Sequence, residues 1–269
     1  MEGWIALDID GTITRDKYTV PEPVVQYLRQ KVADGWHLAL ATGRSKKFAS
    51  FALEKFDFPY FFLPQNGSIV LQMPGDQVIE KNYIDSTDLI LIDHAFEGIS
   101  SDYIVYSGSE KGDTCSYRTG RFSPDDLKYM AAIQEREKET WQTVACFEEK
   151  TPVVKCFGPA PRVQLLEKRL SPYFQVSVIR DPFIPEIFVL LVTNRIVSKG
   201  LSLSRLFEKF GRGKRVIAAG DDANDASLFA IADFNIAMAH APAALQEQAD
   251  YIAPPTAEYP IIEALKYIL

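Results

Sequence analysis

The sequence predicts an α/β protein, with a central parallel sheet flanked by helices and a second domain of α+β type inserted into it. Three observations carry that expectation. Apolar stretches recur that end in polar tips and run on into helices, which is the grammar of strands in an open parallel sheet. The first sixty or so residues repeat the order strand, helix, strand, helix. The middle of the chain drops this grammar for short alternating runs mixed with helices, and the last third resumes it.

Trp4 to Thr14 reads WIALDIDGTIT, a short buried strand running into a turn. Asp8 and Asp10 are two apart in extended chain, so they share one face with Ile9 turned away, and Gly11 opens the turn. Pro21 to Gly35 reads as a helix with Val24, Leu28 and Val32 on one face and Gly35 as its stop. His37 to Ala41 is the next strand, ending in Thr42, Gly43 and Arg44. Ser45 is then an N-cap, with Phe48, Phe51, Ala52 and Phe56 turned inward from its helix. Tyr60 to Leu63 is a strand, Gln65-Asn66-Gly67 a turn, and Ser68 to Ile84 a hairpin broken at Pro74-Gly75.

The inserted domain is expected over residues 84–186, between core segments 1–83 and 187–269. Within it, Asp88 to Phe96 reads as helix, Tyr103 to Tyr106 and Thr114 to Arg118 as strands, and Ser123-Pro124 as the cap of a helix reaching about Lys138. Val153 to Phe157, Arg162 to Leu170 and Phe174 to Ile179 give strand, helix, strand. The proline-bearing Arg180 to Glu186 reads as the return linker. In the last segment, Phe188 to Val192, Val216 to Ala219 and Phe234 to Met238 are strands, while Lys199 to Phe210, Ala223 to Ile231 and Tyr259 to Leu269 are helices.

A hydrophobic content of 47% is ample for a packed core, and a net charge of −7 argues against the clustered basic face that nucleic acid requires. Cys115, Cys146 and Cys156 are odd in number and lack CxxC spacing, so three ordinary thiols in a reducing compartment are expected. No segment reaches the ~18 uninterrupted apolar residues of a membrane span, and no leader pattern opens the chain; a cytoplasmic protein without a membrane partner is expected.

The polar tips belong together because ligands of open parallel sheets bind at the carboxyl ends of the strands. Asp8 and Asp10, then Thr42, Gly43 and Arg44, then Asp221, Asp222, Asn224 and Asp225 all sit at such ends, and Lys199 opens a helix. Taken alone, each has a plain reading: an acidic turn, a strand end, a solvated lysine. Together they suit phosphoryl transfer. Phosphomonoester hydrolysis needs acceleration by up to ~10²¹, roughly 28 kcal/mol, whereas one positioned donor supplies about 3 to 4 kcal/mol and a general acid about 10² to 10⁴ in rate. An ensemble is required. Asp8 is the candidate nucleophile, and Asp10 the acid that protonates the leaving oxygen and later takes a proton from water. Asp8, Asp221 and the backbone carbonyl of Asp10 suit Mg²⁺, with Asp225 orienting a metal-bound water. The Thr42 hydroxyl, the N–H groups near Gly43 and the Lys199 ammonium suit phosphoryl oxygens. An EF-hand starting at Asp221 fails at Ala223 and Ala226, and no GxxxxGK[ST] occurs. His37, His94 and His240 lack zinc-type spacing and read as structural or exposed.

At these residues the chain resembles the haloacid dehalogenase superfamily, in its Cof-like, subclass IIB phosphatase branch. DIDGT from Asp8, ATGR ending at Arg44, SKG around Lys199 and GDDAND from Gly220 match four ordered motifs. The resemblance implies a Rossmann-like core with an inserted class II cap that closes over the site and selects the leaving group. It implies a Mg²⁺-dependent phosphatase for a small phosphorylated metabolite, acting through an aspartyl phosphate on Asp8. It also implies that Arg44 and Asn66 lie near substrate and that Asn224 orients the lysine or the phosphate. The chain departs from the family pattern at Asp222, where Gly is usual, at Met238 to Ala241, MAHA in place of MGNA, and at Leu191, where an acidic residue is common. A mutase of phosphomannomutase type stays open beside the hydrolase, as does a phosphometabolite sensor; Asp10 speaks against the sensor.

Overall fold

The computed structural model describes residues 2–14, 16, 18–137, 140–147, 149–181, 184–254 and 258–269. In chain order the elements are β1 Gly3–Asp8, α1 Glu22–Ala33, β2 Trp36–Ala41, α2 Lys46–Ala52, β3 Tyr60–Leu63, β4 Ile69–Met73, β5 Gln77–Lys81, α3 Leu89–Ala95, β6 Ile104–Tyr106, β7 Thr114–Arg118, α4 Pro124–Glu137, β8 Thr140–Val144, β9 Val154–Gly158, α5 Ala160–Leu170, β10 Gln175–Arg180, β11 Phe188–Thr193, α6 Lys199–Phe210, β12 Arg215–Gly220, α7 Ala226–Phe229, β13 Phe234–Met238, α8 Ala243–Gln246, β14 Tyr251–Ala253 and α9 Pro260–Ile268. The chain divides into two units, residues 1–44, 49–81 and 198–269 in the first and residues 45–48 and 82–197 in the second.

The first unit carries an eight-stranded sheet in the order β14-β13-β12-β1-β2-β3-β4-β5. Pairing is parallel from β14 to β3, and the β4–β5 hairpin adds an antiparallel edge. Every residue of β1 is buried, as a strand covered on both faces must be. Side chains alternate by size: Ala6, Ala39, Ala41 and Ala218 join Leu203 and Leu206 of α6 and Leu228 and Phe229 of α7 in one apolar cluster. Small strand residues on that face let the helices pack close. From β1 the chain proceeds to β2 on one side, while β12 and β13 return on the other, so the topological switch falls between β1 and β12. Their register pairs Leu7 with Ala219, and β1 with β2 pairs Asp8 with Ala41, which brings three strand tips level.

The second unit carries a six-stranded sheet, β10-β11-β9-β6-β7-β8, antiparallel except for β7 with β8. α3 and α5 pack through Leu89, Ile92, Val163, Leu166 and Leu170 on Val105, Val154, Cys156, Leu190 and Val192. α4 contributes Tyr129, Met130 and Ile133 to a separate cluster with Ile104, Tyr106, Phe157 and Val189. Cys115, Cys146 and Cys156 are unbridged. Among the described residues no helix is long and apolar enough to cross a membrane.

Several expectations are corrected. Phe188 to Val192, expected with the first sheet, is β11 of the second, paired antiparallel with β9 and β10. Arg180 to Glu186 is therefore a hairpin connection and not a return linker; the amides of Asp181 and Ile187 bond to Ile187 and Ile184, while Pro182 and Phe183 lie outside the described residues. An apolar run buried on both faces does not announce which sheet it joins. α2 ends at Ala52, so Phe51 is 55% exposed where it was expected inside, and Phe56 is buried from the following turn. Lys138, the expected end of α4, also lies outside the described residues. β8, β14 and α8 went unread because each is short or half exposed. Arg118 of β7 is buried, paired through two nitrogens with Asp102 and through one with Asp93, and lies over the Tyr103 and Phe147 rings. It holds the second unit together.

Asp126 shows how that unit sets its polar interior. Its amide donates to Ser123 Oγ, the cap expected from sequence, while its carboxylate accepts from Ser101 Oγ at 2.8 Å and Arg162 Nη1 at 2.6 Å. Burial would raise this carboxyl, but Arg162, Ser123 and Ser101 outweigh it and hold it below the ordinary 3.8. The stabilisation is fully present above 3.8 and is lost as pH falls through the lower folded value. Asp126→Asn is expected to cost about 2 kcal/mol at neutral pH, with the deficit in thermal melts shrinking below pH 3.8.

Candidate active site

The site is assembled at the level strand tips of the first unit. Past β1 the chain turns back at once: the amides of Ile13 and Thr14 and the Thr14 hydroxyl all donate to Ile9 O, with Gly11 at φ +73°. That turn leaves Asp8 at the end of a buried strand. α6 starts at Ser198, whose Oγ accepts from Leu201 N, and so fixes Lys199 in the first turn of the helix. The tip of β12 is closed by a capping box, in which Asp222 accepts from Ala223 N and Asp225 Oδ2 accepts from the amides of Asp221 and Asp222.

Lys199 Nζ lies 2.6 Å from Asp8 Oδ1 and 2.7 Å from Asp225 Oδ1. All three are nearly sealed, Asp8 at 4%, Lys199 at 1% and Asp225 at 0% exposure. Burial would push the ammonium down, but Asp225 and Asp8 overcome that and hold Lys199 charged well above its usual range. Burial also pushes Asp8 well up, against Lys199 and with Asp225, Asp221 and Asp10, and it pushes Asp221 up as well. One cation serves more carboxylates than it can neutralise.

Asp8, Asp221 and Asp225 bring one oxygen each within 4.8 Å of the others, a cluster able to hold a divalent cation. The fit rests on the donor atoms. Asp8 Oδ2 is buried and accepts no hydrogen bond, which leaves a desolvated anionic oxygen to be satisfied, and an all-carboxylate set suits a hard cation. Asp225 is engaged through both oxygens and reads as the clamp that keeps the Asp221 loop folded. Asp222, the departure from the family pattern, is outside this triad and caps the helix turn instead.

Asp10 points elsewhere. Its carboxylate is held by two nitrogens of Arg44, Nε at 2.7 Å and Nη2, and it accepts from Thr42 Oγ1 at 3.4 Å. Thr42 Oγ1 in turn accepts from the Arg44 amide at 3.1 Å, with half-buried Gly43 between them. Asn66, expected near substrate, and Asn224, expected to orient the lysine or the phosphate, meet each other, Asn224 Nδ2 donating to Asn66 Oδ1 at 3.1 Å. The turn carrying Asn66 is left-handed at Gln65, Asn66 and Gly67, and it hangs from Arg44 O and Thr42 O through two backbone bonds. Ser202 of α6 secures it by donating to Gly67 O at 2.9 Å; a Cβ on Gly67 would come within 2.5 Å of that hydroxyl. The predicted residues thus form a carboxylate–lysine cluster, an Asp10–Arg44–Thr42 group and an asparagine pair.

Ser202 and His240 escaped the sequence reading. His240, read as structural or exposed, has a side chain that is 59% exposed and also places its Nε2 3.1 Å from Asp221 Oδ2. The rule applied to the tips of β1, β2 and β12 applies equally to β13 and would have found it.

Carboxylates and a buried lysine converge at the switch point of an open α/β sheet, the place where ligands of such sheets bind. The family model for haloacid dehalogenase-like hydrolases matches residues 5–265, and the chain belongs to that family. It is a phosphatase of the Cof-like branch. It is 34% identical to phosphoglycolate phosphatase of Archaeoglobus fulgidus over 265 residues, covering 98% of this chain and 96% of that protein. To 5-amino-6-(5-phospho-D-ribitylamino)uracil phosphatase YitU of Bacillus subtilis it is 21% identical, covering 87% of this chain and 85% of that one. In structure it resembles a subclass IIB sugar phosphatase of the superfamily at a TM-score of 0.77 and 20% identity, over 99% of this chain and 98% of the other, a likeness of fold.

Replacing Lys199 by Met leaves the carboxylates facing one another without a cation. A cost of about 3 to 5 kcal/mol is expected at neutral pH. Because these carboxyls are pushed up, the penalty is largest above their folded values and is relieved as they protonate, so the melting deficit of Lys199→Met is expected to shrink on acidification.

Proposed function

We propose that the protein hydrolyses a small phosphorylated metabolite, a sugar phosphate or similar phosphomonoester, with Mg²⁺ as cofactor and Asp8 as the group that receives the phosphoryl. The observation that carries this is the state of Asp8, one oxygen held by Lys199 and the other buried without a hydrogen-bond partner at the switch point. Asp8 and Asp221, with the backbone carbonyl of Asp10, would hold the cation, and Asp225 keeps their loop in place. Bound Mg²⁺ supplies charge neutralisation at the phosphoryl oxygens.

The Asp8 carboxylate adds to phosphorus as the bond to the ester oxygen breaks, and Asp10 gives that oxygen its proton. Water then adds to phosphorus, Asp10 takes its proton, and Asp8 leaves as carboxylate with inorganic phosphate. Thr42 Oγ1, the Gly43 region and Lys199 bind the equatorial oxygens. Arg44 holds Asp10 before substrate arrives, so an anionic substrate exchanges with Asp10 for the guanidinium and frees the carboxyl for proton transfer. Asn66 and Asn224 act as a pair beside the substrate. Substrate selection is assigned to the second unit, residues 45–48 and 82–197.

Phosphate release is to be measured over a panel of sugar phosphates, 5-amino-6-(5-phospho-D-ribitylamino)uracil and phosphoglycolate, the last two being substrates named for the relatives, with Mg²⁺ or EDTA. Release that needs Mg²⁺, falls about 10⁴-fold or more in Asp8→Asn and about 10² to 10⁴-fold in Asp10→Asn is expected. Undiminished turnover by Asp8→Asn would remove Asp8 as the phosphoryl acceptor. Saturating Mg²⁺ without substrate is expected to raise the melting temperature by about 5 °C or more, because the cation binds only the folded carboxylate cluster.

A further inference from the structure

The tip of β13 brings a side chain to the cation cluster that the mechanism above does not use. β12 and β13 pair Gly220 with Ala237, so the residues after Met238 emerge beside Asp221. There His240 Nε2 sits 3.1 Å from Asp221 Oδ2. The contact depends on residue 11 being glycine. A Cβ at Gly11 would lie 2.1 Å from Asp221 Oδ2 and 2.9 Å from His240 Nε2, so the first turn, the carboxylate and the imidazole close on one another with no space for another atom.

Each carboxylate of the triad is restrained differently. Asp8 is tied by Lys199, and Asp225 by Lys199 and two backbone amides. Among the described residues, the hydrogen bond to the Asp221 carboxylate comes from His240. Without it, the Asp221 side chain could rotate away from the cluster that repels it.

We propose that His240 is a positioning residue for the cation site: by donating Nε2–H to Oδ2 it fixes the Asp221 carboxylate in the orientation that the cation needs. The inference rests on the metal reading given under Proposed function. Outer partners of ligating groups act in this way, and their removal typically weakens metal binding by about 10 to 100-fold. A bare surface contact is the alternative, since the His240 side chain is 59% exposed. That exposure also means the side chain can be changed without disturbing the core.

The test is calorimetric titration of Mg²⁺ into the full chain without substrate, for wild type, His240→Ala, His240→Gln and Asp221→Asn, with melting of the metal-free proteins alongside. His240→Ala is expected to bind Mg²⁺ about tenfold more weakly or worse, with its metal-free melting temperature unchanged. His240→Gln, which restores an amide donor at similar reach, is expected to recover most of that loss. His240→Ala within about twofold of wild type, while Asp221→Asn loses binding, overturns the positioning role and leaves the metal site standing. So does a Gln variant as weak as Ala, because the donor would then be irrelevant. Folded wild type that takes up no Mg²⁺ overturns the metal reading and this inference together.

Discussion

The first unit is organised by the burial of Lys199 between Asp8 and Asp225. An ammonium sealed at 1% exposure cannot exist in an apolar interior without anions around it, and three carboxylates cannot share a crevice without a cation. Each makes the other tolerable, yet the balance is incomplete. Asp8 and Asp221 are pushed up because burial and neighbouring negative charge exceed what one lysine offsets. Asp8 Oδ2 is the buried oxygen of the cluster left with no hydrogen-bond partner. A site built this way has its instability where a cation and a phosphoryl group can relieve it, which is the physical meaning of preorganisation here.

Maintaining that balance takes rigid surroundings. α6 begins at Lys199 and also reaches the left-handed turn through Ser202, so the helix that places the cation also fixes the segment carrying Asn66. Asn66 is joined to Asn224, and Asn224 adjoins Asp225, which closes back onto Lys199. The loops after β2, β3 and β12 are thus linked to one helix terminus. A shift in any one displaces the lysine relative to both carboxylates, and electrostatic terms in a sealed site change steeply with such distances.

The sequence made the strand tips legible because a parallel sheet buried on both faces demands apolar runs, and polar residues at their ends have nowhere else to go but the crevice. Asp8, Asp10, Thr42 and Asp221 could therefore be placed at those tips without coordinates, whereas Lys199 opens a helix that follows a strand of the other sheet. Pairwise partners could not. Nothing in ATGR reveals that Arg44 closes on Asp10, or in GDDAND that Asn224 reaches Asn66, because both contacts join segments far apart in sequence. β11 was misplaced for a related reason: an FVLLVT run satisfies either sheet, and its true partners, β9 and β10, are set by hairpin geometry. The contact of His240 with Asp221 is invisible for the same reason, since it joins the ends of two neighbouring strands and leaves no local spacing to read.

The choice of lysine at position 199 follows from the same constraint. Its ammonium is a compact charge with three donors, two of which go to Asp8 Oδ1 and Asp225 Oδ1. The compact charge lets one side chain reach two carboxylates on different loops at once, which a single planar group could not do in so small a space. A guanidinium would present a planar fork to a single carboxylate, as Arg44 does to Asp10. The two cations of the site therefore differ by shape: Arg44 grips one carboxylate through two nitrogens, whereas Lys199 bridges two carboxylates through one.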